Sequence, residues 1–140
     1  MKKSIWKSVW AVLAGVIGII LITTLVDIVL HMAGVYPPLP NDHTPPTPLT
    51  DSLALLASYY RLVIGIGGGY LTARLAPNRP LWHAMILGFV GVALGVAGVV
   101  ATWNLGLGPH WYPISLPILA IPQCWLGGWL YERRHPAATV

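Results

Sequence analysis

The sequence predicts an all-α membrane protein with four transmembrane helices in an antiparallel bundle. Hydrophobic residues make up 56% of the 140 residues and charged residues only 9%, whereas about a quarter of the residues in an ordinary soluble domain are charged. The sequence also contains four apolar runs, each close to the ~20 residues that a helix needs to cross a bilayer. We therefore expect residues 1–140 to form a single integral membrane domain.

The four helices and their connections follow from the apolar runs and the prolines. The predicted helices cover about residues 8–31, 52–75, 81–103 and 113–131. The connections are an outer loop at 32–51, an inner loop at 76–80 and a second outer loop at 104–112. Although three lysines precede the first run, it is longer than the ~7–15 apolar residues of a signal peptide, so we expect it to be retained.

The distribution of basic residues predicts the orientation in the membrane. Seven of them lie at the same side of the four runs: Lys2, Lys3, Lys7, Arg74, Arg79, Arg133 and Arg134. The positive-inside rule then places both termini in the cytoplasm and the chain in the cytoplasmic (inner) membrane. Since these residues flank apolar runs and form no basic patch with interleaved aromatics, we expect the lipid bilayer and not nucleic acid as the partner. Tyr36 and Tyr112 are expected in the outer aromatic belt.

Two segments end in the same pattern. Gly68-Gly69-Tyr70-Leu71, followed by Arg74 and Pro77, recurs as Gly127-Gly128-Trp129-Leu130, followed by Arg133 and Pro136. One interpretation is a tandem duplication of a helical hairpin, which predicts a pseudo-twofold axis along the membrane normal. The alternative is that inner-leaflet helix ends independently favour these residues. Both interpretations stay open at the level of sequence.

Small residues are spaced three or four apart in the second and third predicted helices. Such a stripe lets another helix approach closely, because helix association in a membrane depends on van der Waals contact. The predicted packing residues are Gly65, Gly68, Gly88, Gly91, Gly95 and Gly98. The stripe on the third helix is also a candidate contact with a second copy of the chain or with another membrane protein.

Asp27 and Arg61 lie inside apolar segments, toward their outer ends. An ionised side chain at the centre of a membrane helix costs about 2.5–3.5 kcal/mol, so we expect the two residues to pair. The predicted buried polar cluster consists of Asp27, Arg61, His31, Thr23, Tyr60 and Gln123, with His110 as a cap. Either this cluster is a structural ion pair that fixes helix register, or it lines a polar cavity open to the outer face.

Metal, cofactor and catalytic motifs have little support. The weak candidates for metal ligands are His31 and His110, with His43 and Asp27 or Asp42. No two of these histidines show a ligand spacing such as HxxxH, so no metal site is predicted. The lone Cys124 excludes an internal disulfide. No cofactor fingerprint and no GxSxG, HExxH or phosphate-loop motif occurs in the sequence.

These observations favour a non-enzymatic membrane protein that acts as a structural or accessory component. The alternative is a small proton- or cation-coupled transporter or channel-like protein that uses the region around Asp27 and Arg61. A membrane-embedded enzyme is a weaker third hypothesis. Composition and motifs identify neither a substrate nor a specific partner.

Overall fold

The computed structural model describes residues 2–38, 43 and 45–136. These residues form four α-helices: α1 (Lys2–Met32), α2 (Asp51–Leu75), α3 (Pro80–Thr102) and α4 (Trp111–Arg134). All four are long and apolar enough to span a membrane. The predicted all-α fold with four such helices is thus confirmed for the described part of the chain.

Two helices are longer than predicted. α1 begins at Lys2 instead of near residue 8, and α4 runs from Trp111 to Arg134 instead of from 113 to 131. The predicted bounds followed the apolar runs, but neither proline nor glycine interrupts the polar residues before the first run, and lysine is a good helix former. Pro113 is tolerated because the first turn of a helix needs no backbone N–H donor.

α2 is the central helix of the bundle. It contacts α1, α3 and α4, whereas α1 packs mainly on α2 and more lightly on α3. A twofold relation between two hairpins would pair the α2–α3 contact with an equivalent α1–α4 contact, but among the described residues no Cα atoms of α1 and α4 lie within 8 Å of each other. The packing therefore departs from the pseudo-twofold symmetry that a duplicated hairpin predicts.

The two ends of the bundle differ in charge. We call the end with Arg74, Arg79 and Arg133 the basic end, and here Leu81 N donates a hydrogen bond to Glu132 Oε1 at 3.2 Å. We call the opposite end the loop end. There, Trp111 Nε1 donates to Asp51 Oδ1 at 2.7 Å, and Leu49 N donates to Leu107 O at 2.8 Å. The Glu132 and Trp111 contacts tie α4 to α3 at one end and to the start of α2 at the other, and the Leu49–Leu107 hydrogen bond joins the two loops of the loop end.

The backbones of α2 and α4 approach each other closely toward the basic end. A side chain at Gly127 would meet the carbonyl oxygen of Ile66 and would lie 2.6 Å from Tyr70 N. A side chain at Gly69 would lie 2.8 Å from the Cα of Cys124. Because these neighbours are backbone atoms, only glycine fits at the crossing. Gly69 and Gly127, one glycine from each of the repeated Gly-Gly pairs, are therefore packing residues that the sequence-based set omitted.

Most of the predicted glycine stripe on α3 packs against α4 of the same chain. A Cβ added at each of these glycines would lie 3.0–3.1 Å from an α4 atom, and the pairs are Gly88 with Ile121, Gly91 with Ala120 and Gly95 with Pro117. This part of the stripe is covered within one chain. It is therefore not a free surface for a second copy of the protein.

Gly98 departs from the prediction. It was expected to continue the packing stripe, but no described atom lies within 4 Å of a Cβ built at this position. The reason is that the close α3–α4 contact ends at Gly95 and Pro117, and toward the loop end a cavity separates the helices. Gly98 lines that cavity.

The predicted glycines of α2 do pack, each against a different helix. The Gln123 side chain of α4 lies on Gly65, and the Ile19 side chain of α1 lies on Gly68. Both contacts are with side chains. α2 thus uses small residues on two faces, which suits its central position.

α1 lies at the edge of the bundle and exposes a wide apolar surface. Leu21 is 64% exposed and Leu25 is 62% exposed, and Trp6 near the basic end is 64% exposed. An ordinary soluble protein rarely exposes contiguous apolar patches of this kind. The surface has the chemistry of one that faces lipid or another apolar helix.

Candidate functional site

An ion pair joins α1 to α2 in the loop-end half of the bundle. Arg61 Nη2 lies 2.7 Å from Asp27 Oδ2, and the two side chains are 30% and 28% exposed. The structure therefore brings together the two charged residues that were expected to pair. Both residues line a cavity.

Two tyrosines extend this pair into a directed chain of hydrogen bonds. The Tyr60 hydroxyl donates to Asp27 Oδ1, and the Tyr36 hydroxyl lies 3.1 Å from the Tyr60 hydroxyl. Because Tyr60 has a single hydroxyl hydrogen and gives it to Asp27, Tyr36 must be the donor to Tyr60. Both carboxylate oxygens of Asp27 consequently have a partner. The neighbouring Tyr59 is 69% exposed and takes no part in this chain of hydrogen bonds.

A glycine turn carries Tyr36 back to the cluster. α1 ends just before Gly34, whose φ of 71° lies in the left-handed region. Val35 N and Tyr36 N then both donate to Leu30 O, at 3.0 and 3.2 Å. Glycine is favoured at such a helix end because it has no Cβ. The reversal leaves Tyr36 only 6% exposed, so its side chain is buried in the bundle and is not displayed on the outer surface.

His31 lies beside the ion pair but bonds the main chain. Its Nδ1 lies 2.7 Å from the backbone carbonyl oxygen of Asp27, and its ring packs edge-on against Tyr36 at a centroid distance of 5.3 Å. A carbonyl can only accept, so Nδ1 carries the hydrogen. In the neutral ring Nε2 is then left as an acceptor. His31 is thus held in place without a bond to the Asp27 carboxylate.

A first cavity of about 410 Å³ lies in the loop-end half of the bundle. Asp27, Tyr60 and Arg61 form one polar wall, and residues of α3, of the α3–α4 connection and of α4 form most of the rest. At the loop end it is bordered by Trp103 and His110, whose rings lie 4.6 Å apart. The arrangement is a mostly apolar chamber with charged groups at one wall.

A second cavity of about 250 Å³ lies deeper in the bundle. Thr23, Arg61 and Gln123 line it, so these predicted cluster residues share one space. Arg61 also lines the first cavity, as do Leu94, Gly95 and Leu116. The two cavities therefore meet at Arg61.

Beyond the second cavity the bundle closes toward the basic end. Leu87 and Cys124, which line the second cavity, are each 2% exposed, and Thr72 is fully buried. Thr72 and Leu87 both pack on Gly15. The side chains around Thr72 thus pack more closely than those around the first cavity.

The sequence missed two aromatic residues of the site. Tyr36 and Tyr112 both line the first cavity, although both were expected in the aromatic belt. A signal was present, because the two outer loops each contain a Tyr-Pro pair, Tyr36-Pro37 and Tyr112-Pro113. Sequence spacing alone does not reveal that both tyrosines turn inward.

The weak metal candidates do not assemble into a ligand set within the part of the chain that the structure describes. No group of three or more His, Cys, Asp or Glu side chains is placed there to hold a metal ion. His31 and His110 line the same cavity, each packed against an aromatic ring. Asp42 lies outside the described residues.

Comparisons with known proteins add no assignment to this geometry. No protein-family model, no curated protein and no solved structure matches the chain.

Proposed function

We propose that the chain is a multi-pass integral membrane protein with a non-enzymatic role, as a structural or accessory component of the membrane. One observation carries the proposal. The Asp27 and Arg61 charges neutralise each other between α1 and α2, while large apolar side chains cover the outside of α1. This is the polarity expected of a protein whose solvent is lipid, because charges inside a membrane protein pair with one another.

The charge asymmetry supports a specific orientation. Arginines of α2, α4 and the connection before α3 lie at the basic end, whereas Asp51 lies at the loop end. By the positive-inside rule, the basic end with both termini would face the cytoplasm and the loop end would face outward across the cytoplasmic membrane.

The hydrogen-bond pattern supports a role without catalysis. Both carboxylate oxygens of Asp27 are engaged, and the hydroxyl hydrogens of Tyr36 and Tyr60 are committed within the cluster. A general acid or base must exchange a proton with a substrate group within hydrogen-bond reach. Asp27 is instead placed to hold α1 in register with α2.

Cysteine labelling tests the membrane placement. Cys124 is buried, so a Cys124→Ala background allows single exposed cysteines to be added as Ser4→Cys near the basic end or Thr47→Cys near the loop end. In intact bacterial cells, a membrane-impermeant maleimide should label Thr47→Cys, and it should label Ser4→Cys only after permeabilisation. The protein should also stay in the membrane pellet after an alkaline carbonate wash.

The Cys124→Ala protein without an added cysteine is the control and should not be labelled. Release by carbonate would contradict the integral membrane placement. Labelling of Ser4→Cys in intact cells would contradict the orientation.

A small proton- or cation-coupled transporter is the second candidate, favoured by the two cavities that meet at Arg61. Transport would also require a route through the basic end, where the backbones of α2 and α4 touch at Gly69 and Gly127. This close packing favours the non-transporting role. Proton uptake into proteoliposomes that is lost in Asp27→Asn would instead favour the transporter.

A further inference from the structure

The first cavity has the size and the lining of a small-molecule site. Its volume of about 410 Å³ falls in the range of about 300–1,000 Å³ that is usual for such sites, which are mostly apolar with a few placed polar groups. Leu94, Val99 and Leu116 contribute apolar walls, and Arg61 contributes the polar one.

We propose that this cavity binds a neutral apolar molecule that carries a carbonyl group, and that the carbonyl oxygen accepts a hydrogen bond from Arg61. The apolar part of the molecule would lie between the loop-end halves of α3 and α4. This binding role goes beyond the proposed structural function and shares with it only the membrane placement, which the labelling experiment tests separately.

In the polar wall of the cavity, Arg61 has N–H groups that make no hydrogen bond to the described residues. A guanidinium has five N–H donors, and Arg61 gives one from Nη2 to Asp27 and is placed to give another to the Tyr112 hydroxyl. Its buried Nε has no hydrogen-bond partner among the described residues. By contrast, the hydroxyl hydrogens of Tyr60 and Tyr36 are already donated in hydrogen bonds within the cluster. The group that complements this wall is therefore a hydrogen-bond acceptor.

The charge of the wall selects a neutral acceptor. Asp27 lies 2.7 Å from Arg61 and offsets its charge. A ligand carboxylate next to Arg61 would be repelled by Asp27, and a ligand ammonium next to Asp27 would be repelled by Arg61. A carbonyl oxygen accepts from a charged donor without either repulsion.

The same chemistry occurs in two kinds of membrane molecule. An acyl ester and a quinone ring both present a neutral carbonyl on an apolar body. Trp103 and Tyr112 border the cavity with aromatic rings, which can pack against a flat ring as well as against an acyl chain. The experiment therefore includes a probe for each source.

Four probes with the same ten-carbon tail test the choice of head group. The purified full chain in dodecyl maltoside, a detergent without a carbonyl, is mixed with methyl decanoate, a decyl-substituted benzoquinone, decanoate or decylammonium, each at the same mole fraction in the micelles. Thermal unfolding is then recorded at a pH where decanoate is ionised. We expect a rise in melting temperature of roughly 3 °C or more with at least one neutral carbonyl probe.

The identity of the neutral probe that gives the larger rise indicates an acyl ester or a quinone as the source. Decanoate or decylammonium stabilising the protein at least as much as both neutral probes would overturn the proposal, as would the absence of a shift with all four.

Two matched glycine variants locate the site without touching Arg61. Gly98 lines the cavity, and no described atom lies within 4 Å of a Cβ at either Gly98 or Gly67. Gly98→Leu should fill the cavity and abolish the shift. Gly67→Leu adds the same side chain outside the cavity lining and should keep it. Retention of the full shift in Gly98→Leu, or equal loss in both variants, would overturn the placement of the ligand.

Discussion

Replacing Arg61 by alanine is expected to lower the free energy of unfolding by about 2–3 kcal/mol, because the change leaves the Asp27 carboxylate without its counter-charge. Breaking a fully buried ion pair costs about 3–5 kcal/mol. The expected loss is smaller here, because the pair borders a cavity and Asp27 keeps the hydrogen bond from Tyr60.

Arg74→Ala is the matched control for this prediction. Arg74 lies on the same helix but is exposed at the basic end, and surface substitutions usually change stability by no more than about 0.5 kcal/mol. Unfolding of both variants can be followed by titration with sodium dodecyl sulfate in mixed micelles. An equal loss in Arg61→Ala and Arg74→Ala would contradict the role given to the ion pair.

Gly127→Ala is expected to destabilise the protein by roughly 3 kcal/mol, at the upper end of the usual penalty for overpacking. The added methyl group would meet the Ile66 carbonyl oxygen and would lie 3.0 Å from the backbone carbon of Gly69. Neither neighbour is a side chain that can rotate away. α4 would have to move off α2, and the contacts around Cys124 would loosen with it.

Gly67→Ala provides the comparison on α2. No described atom lies within 4 Å of a Cβ at Gly67, so alanine adds no clash and gains up to ~1 kcal/mol of helix propensity. The same detergent titration measures both variants. If Gly127→Ala were as stable as Gly67→Ala, α2 and α4 would not cross at this glycine.

The sequence predicted the four helices well because each apolar run has the length of a membrane span. Hydropathy predicted the ends of α1 and α4 less well, because a helix continues through polar residues when no proline or glycine interrupts it. α1 includes Lys3 and Ser4, and α4 includes Arg133. Proline is favoured in the first turn of a helix, so Pro113 predicts a start close to itself, and the structure places the start two residues earlier, at Trp111.

The ion pair was accessible to sequence analysis because the cost of an unpaired charge in lipid is large. Asp27 and Arg61 were the two charged residues well inside the predicted spans, so their pairing followed from that cost. The position of Tyr36 was not accessible. It depends on the turn at Gly34, whose left-handed conformation reverses the chain, and hydropathy carries no information on that reversal.

The glycines of α3 show a further limit of prediction from sequence. A stripe of small residues predicts that a helix can be approached, but it does not identify the partner. Gly95 contacts α4 and Gly98 opens onto a cavity, although both belong to the same stripe. The difference arises from where α3 and α4 separate, which is a property of the assembled bundle.

The central claim is that Asp27 and Arg61 form a direct contact that holds α1 in register with α2. The most direct test is a double-mutant cycle with Asp27→Asn, Arg61→Gln and the double variant, measured by unfolding in detergent. We expect a coupling free energy of about 1–2 kcal/mol, well above the ~0.5 kcal/mol within which independent changes add. Changes that add independently, with little loss of stability, would contradict the claim and would mean that the pair does not hold the fold.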